Sequence, residues 1–117
     1  MKKAVLLIGL LIAVCLVLHA GNEKVVGEWK CEAYVDMSYP FTLTIKEEAG
    51  KLAGAITGDQ GTTQLEAVSY QEDKLKFQFN YPEAGGLIDF EAKVEDKKID
   101  GTLGNDMFMG DFSCTPK

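Results

Sequence analysis

Period-two alternation of apolar and polar residues constrains this chain more than any other feature. It is clearest in Phe41-Thr42-Leu43-Thr44-Ile45, in Leu75-Lys76-Phe77-Gln78-Phe79-Asn80-Tyr81 and in Ile88-Asp89-Phe90-Glu91-Ala92-Lys93-Val94. A strand turns successive side chains to opposite faces, so this rhythm marks a sheet with one buried face and one wet face. All six phenylalanines fall on the same parity within their expected strands. No helical period competes with the pattern. Turn signals recur every ten residues or so, among them Ala49-Gly50, Gly58-Asp59-Gln60-Gly61, Gln71-Glu72-Asp73 and Pro82-Glu83-Ala84-Gly85-Gly86. Short strands at that spacing predict a sandwich or a barrel.

The spacing predicts eight strands, over 27–36, 41–48, 51–58, 62–70, 74–81, 87–95, 98–103 and 107–114. Within the fourth, Leu65 and Ala67 share one face and Val68 and Tyr70 the other, which predicts a bulge between them. Consecutive short strands with tight connections predict an all-β, eight-stranded antiparallel up-and-down barrel, whose closure removes exposed sheet edges. Closure pairs the first strand with the last. Setting Cys31 opposite Cys114 places Ala33 opposite Phe112 and Trp29 opposite Pro116, with Trp29, Cys31, Ala33, Phe112 and Cys114 inward. A Cys31–Cys114 disulfide is therefore expected at the seam. Gly54, Gly101 and Gly110 fall at inward positions, where a missing side chain lets a narrow barrel bend or leaves room for neighbouring rings.

Residues 1–20 read as a secretory signal peptide. A basic start, Lys2-Lys3, precedes an apolar run from Ala4 to Leu18, and Leu18-His19-Ala20 offers a cleavage site. The run of 15 residues is short for a bilayer span, which takes roughly 20. Cys15 lies inside the run, so lipidation is not expected. The expected organisation is a signal peptide over 1–20, a short arm over 21–26 and one barrel domain over 27–117. The location is periplasmic or extracellular, with the membrane met only during export.

Removing the signal leaves 97 residues (117 less 20). This mature part holds 10 lysines and 18 acids, a net charge of −8, and no arginine. Nucleic acid and anionic lipid are repelled by such a chain. The one histidine, His19, leaves with the signal, and with it goes the commonest general base and metal ligand. Cys31 and Cys114 remain as an even pair in an exported chain, which favours a disulfide over a reactive thiol.

Gly27-Glu28-Trp29, a G-x-W at the start of the first strand, resembles the calycin group of lipocalins and avidins. Leu43-Thr44-Ile45 followed by Gly50-Lys51-Leu52-Ala53-Gly54-Ala55-Ile56 is similar to the second and third strands of avidin-like proteins. The chain also looks like small lipocalin-like barrels of unknown function exported by bacteria. The resemblance implies the barrel architecture. It does not imply biotin binding, because Cys31 and Ile56 stand where avidins place polar and aromatic ligand contacts. The late arginine and the Thr-Asp-Tyr signature of lipocalins are also missing. Fold alone does not give function.

Catalysis is not expected. Ser38, Ser69 and Ser113 have no histidine to activate them. The carboxylates Glu47, Glu48, Glu95, Asp96, Asp106 and Asp111 fall at turns and on the outer face, where charge maintains solubility. Asp96, Asp100, Asn105 and Asp106 do not follow a calcium-loop spacing. No metal and no cofactor are expected. The meander gathers the loops 37–40, 58–61, 82–86 and 104–106 at one end, the mouth, and sets both termini at the other.

Two binding readings follow. In the first, the chain is a non-catalytic binding module for a protein or cell-surface partner. Tyr34, Met37, Leu87, Met107 and Met109 then form an apolar patch near the mouth. In the alternative, it is a mini-lipocalin taking a small apolar or aromatic ligand at the mouth. Tyr39 and Tyr81 would stand at that rim, with Phe41, Phe79, Ile88, Leu103 and Phe108 below them. Eight-stranded barrels are narrow enough for side chains alone to fill, which favours the first reading.

Overall fold

The alternation is realised as one antiparallel meander bent into a nearly closed barrel. A computed structural model describes residues 22–117; the expected signal peptide lies outside them. The strands are β1 (Gly27–Val35), β2 (Met37–Glu48), β3 (Lys51–Gly58), β4 (Gly61–Gln64), β5 (Glu66–Gln71), β6 (Lys74–Tyr81), β7 (Gly86–Glu95), β8 (Lys98–Gly104) and β9 (Met109–Pro116). A 3-10 turn, Pro82–Ala84, sits between β6 and β7. The sheet order is β4-β3-β2-β1-β9-β8-β7-β6-β5. First and last strands therefore pair, and the one unzipped boundary lies between β4 and β5.

The connections at the terminal end are tight. Glu48 pairs with Lys51, Gln71 with Lys74 and Glu95 with Lys98. The two central residues of each hairpin have positive φ: Ala49 (51°) and Gly50 (79°), Glu72 (52°) and Asp73 (65°), Asp96 (48°) and Lys97 (60°). This backbone twist matches that of the flanking strands, which is why two-residue hairpins adopt it.

The register predicted for the seam is the one observed. Cys31 pairs with Cys114, Ala33 with Phe112 and Trp29 with Pro116. All five inward residues named from parity are at most 5% exposed, counting Trp29, Cys31, Ala33, Phe112 and Cys114. Cys31 and Cys114 form a disulfide, with Cα atoms 4.0 Å apart and 83 residues between them in sequence.

Three expectations need correction. First, the barrel has nine strands rather than eight, because the segment 62–70 divides at Leu65. The Leu65 amide donates to the Gly54 carbonyl at 2.8 Å, so the chain folds in over β3. Ala67 (φ 52°) and a register shift between Glu66 and Ser69 then send β5 onto β6, at the place where a bulge was predicted. Edge closure is accordingly incomplete. Second, the segment 37–40 is not a loop. The reversal is at Asp36 (φ 63°), and Met37 to Pro40 already pair with β1. Third, the last strand begins at Met109 rather than at residue 107. Phe108 belongs to the preceding turn, where its carbonyl accepts from the Asn105 amide at 3.0 Å.

Phenylalanine rings fill the barrel centre. Phe77 stacks on Phe90 with ring centroids 4.7 Å apart, and Phe112 meets the edge of Phe90 at 5.1 Å. Phe41 adds a further edge contact to Phe90 at 6.5 Å. Such offset and edge-to-face contacts suit the quadrupoles of the rings. Among the described residues the buried set is entirely apolar. At the terminal end, Val25 of the N-terminal arm is fully buried, and its carbonyl accepts from the Trp29 indole N–H at 2.9 Å. The arm thus seals that end.

Two inward glycines show why they carry no side chain. A Cβ at Gly54 would lie 2.8 Å from the Thr44 carbonyl oxygen and 3.0 Å from Leu65 Cδ1. At Gly101 it would strike the Glu91 carbonyl and Ala92 on the neighbouring strand. The space is taken by strand backbone and by Leu65, rather than by Phe and Trp rings. Gly101→Ala is therefore expected to cost about 1–3 kcal/mol, the usual cost of overpacking. Gly58→Ala, where no atom lies within 4 Å, serves as the near-neutral comparison in the same thermal unfolding series.

Candidate functional site: the barrel mouth

The residues singled out for the mouth come from five places: β2, β6, β7, β8 and the turn before β9. Tyr39 is exposed, Phe41, Phe79, Tyr81 and Phe108 are half-buried, and Ile88 and Leu103 are buried. Phe79 pairs with Ile88 across β6 and β7, and Leu103 pairs with Phe90 across β8 and β7. Phe79 and Tyr81 stack at 5.8 Å. These two rings share a face because two residues along a strand return to the same side. Ile88 and Leu103 belong to the continuous core, whereas Tyr39 and Tyr81 stand at its upper margin.

The Tyr81 hydroxyl donates to Glu83 Oε2 at 3.1 Å. That hydrogen bond, with the carboxylate charge behind it, raises the phenol pKa, and Tyr39 adds a smaller push in the same direction. Tyr81 is thus held as a neutral donor already committed to Glu83. The Ser38 hydroxyl of β2 donates to Glu32 on β1. Together with a weaker contribution from Tyr34, this lowers the Glu32 pKa and keeps the carboxylate ionised. Tyr34 is raised in turn by its bond to Glu32. Asp89 accepts from Gln78 Nε2 at 2.9 Å. The carboxylates of Glu32, Glu83 and Asp89 thus accept hydrogen bonds from neutral donors.

Asn105, which follows no calcium-loop spacing, serves as a brace between turns. Its Nδ2 donates to the Ala84 carbonyl at 2.8 Å, and its Oδ1 accepts from the Met107 amide at 2.8 Å. One side chain therefore ties the turn before β7 to the turn before β9. The bond sets Met107 over Gly85, where a Cβ would strike the Met107 sulfur and lie 3.3 Å from Asn105 Nδ2. Gly85 has φ 94°, a second reason for glycine there. A turn asparagine with methionine two residues on is the sequence signal for this brace.

The apolar patch expected near the mouth is exposed in full. Met109 is 78% exposed, Met107 74%, Met37 66%, Tyr34 50% and Leu87 44%, and Tyr39, expected at the small-ligand rim instead, is 50% exposed. Val26 is the one other exposed large apolar side chain among the described residues. The concentration is informative, since scattered exposed apolar residues are ordinary and clustered ones mark interaction sites.

An open depression of about 410 Å³ lies elsewhere, toward the terminal end, where β3 and β5 diverge below Leu65. Asn22, residues 50–52 and residues 67–70 line it. None of the mouth residues takes part in it. Among the described residues no three potential His, Cys, Asp or Glu ligands converge on a point. A nearly closed antiparallel barrel fits a calycin-like architecture. A scan of protein-family models gives no match to the chain, and a search of curated proteins gives none either.

Proposed function

We propose that the protein is an exported, non-catalytic binding module that engages a protein or cell-surface partner through the rim of the barrel mouth. The observation that carries this reading is the gathering of Tyr34, Met37, Tyr39, Leu87, Met107 and Met109 at one end of a barrel whose centre is occupied by its own rings. Binding energy is then available outside the barrel, from apolar surface that a partner would take out of water. The signal-like sequence over 1–20 and the Cys31–Cys114 disulfide support export to an oxidising compartment, periplasmic or extracellular. Among the described residues the buried set holds no acid, base or nucleophile.

The half-buried Phe79–Tyr81 stack favours a second reading, a lipocalin-like carrier of a small aromatic molecule at the rim. The first is preferred because Phe41, Phe77, Phe90 and Phe112 occupy the space below that stack.

Site-specific photo-crosslinking in the exporting cell tests the preferred reading. A photoreactive side chain in place of Met109 is expected to trap a discrete macromolecular adduct. The same group in place of Lys46, exposed on the terminal half of β2, is expected to trap none. Adducts from position 46 alone, or from neither position, would contradict it.

A further inference from the structure

We propose that the rim docks a cationic amphipathic polypeptide segment, rich in lysine or arginine along one side and apolar along the other. The proposal names the partner class for the reading above and rests on it.

Acids occur at both ends of the barrel, whereas the lysines avoid the mouth. The segments that build the mouth, residues 32–40, 57–62, 79–89 and 102–111, contain Glu32, Asp36, Asp59, Glu83, Asp89, Asp106 and Asp111, and no lysine. Lys24, Lys46, Lys51, Lys74, Lys76, Lys93, Lys97, Lys98 and Lys117 all belong to the termini, the opposite hairpins or the strand ends beside them. Lys30 lies midway along β1. The described residues contain neither arginine nor histidine. The ion pairs Lys24–Asp73 and Lys93–Glu95 are at the lysine-bearing end. The rim carboxylates with side-chain partners are held by Ser38, Tyr34, Tyr81 and Gln78, which are neutral.

Seven like charges around an apolar rim create a field reaching about 8–10 Å in physiological salt. That field selects among occupants. Anionic bilayers and nucleic acid are repelled. A second copy docking mouth to mouth would set acid against acid. A neutral apolar segment would gain from the methionines and leave the carboxylates without counter-charges. A cationic segment with one apolar face satisfies both features, its ammonium or guanidinium groups meeting the acids and its apolar side the methionines. Methionine suits this task because its unbranched thioether adapts to differing apolar shapes. Complementary charge also speeds encounter and sets specificity.

The test is calorimetric titration of the exported protein with three synthetic peptides of equal length. One is a Lys–Leu peptide patterned for an amphipathic helix, one carries Glu in place of each Lys, and one is the Lys–Leu composition scrambled so that no apolar face forms. Only the patterned Lys–Leu peptide is expected to bind. Its affinity should fall about tenfold in a Met107→Ser, Met109→Ser variant and about tenfold in an Asp36→Asn, Asp106→Asn, Asp111→Asn variant. Vesicles of anionic phospholipid are expected to stay unbound. Equal binding of the Glu peptide, of the scrambled peptide or of the vesicles would overturn the proposal, as would full affinity in the triple variant. If no peptide binds while the crosslink from position 109 persists, the cationic partner is refuted and the rim interface stands. Loss of both refutes both.

Discussion

Replacing Cys31 and Cys114 together by alanine is expected to produce the largest loss of stability available from a conservative change. The bond joins the first and last strands of the sheet, 83 residues apart in sequence. In the chain-entropy description a cross-link of that span removes about 4–5 kcal/mol of freedom from the unfolded ensemble. For a domain of this size each kcal/mol moves the melting midpoint by about 4–8 °C, so a fall of roughly 20 °C or more is expected. Thermal unfolding of the native protein with and without reductant gives the same comparison without mutation. A midpoint unmoved by reductant would mean that the β1–β9 pairing holds without its covalent tie.

Phe77→Ala is expected to cost about 3–5 kcal/mol, the range for truncating a buried aromatic ring. Phe77 is 1% exposed and lies against both Phe90 and Phe112. Its removal strips both neighbours of a ring contact and leaves a hollow that the surrounding strands cannot fill without giving up their pairing. Urea unfolding measures the loss. Little change in midpoint would indicate that the barrel centre is loosely packed.

Part of this structure could be read from the sequence because parity and cysteine position reinforce one another. Once Cys31 is set against Cys114, every neighbouring pair in the seam is fixed, and a slip by one residue would turn Phe112 and Trp29 to solvent. The break at Leu65 was not legible in the same way. Gln64-Leu65-Glu66 alternates like any strand, and the amide bond from Leu65 to the Gly54 carbonyl is a contact between segments that sequence does not disclose. Val25 was missed for a related reason. A single valine before Gly27 belongs to no periodic run, and its burial depends on the indole that its carbonyl accepts from.

The candidate site was legible to a different degree. The five apolar residues expected near the mouth, three of them outward by parity, are all exposed. The brace made by Asn105 was not foreseen, because it spans two turns whose proximity is set by the sheet order. The absence of lysine from the mouth segments is written in the sequence, but it acquires meaning only when the hairpins are sorted by end. Along the chain the two charges look well mixed.

The central claim is that the barrel is filled by its own side chains and recognises a partner from outside. Thermal unfolding in the presence of benzene tests it most directly, since a dry apolar cavity of sufficient size binds such a molecule. The wild-type protein is expected to show no benzene-dependent rise in melting midpoint, whereas the Phe77→Ala variant, with its new hollow, is expected to show one. A rise in the wild type comparable to that in the variant would reveal an interior site and contradict the account.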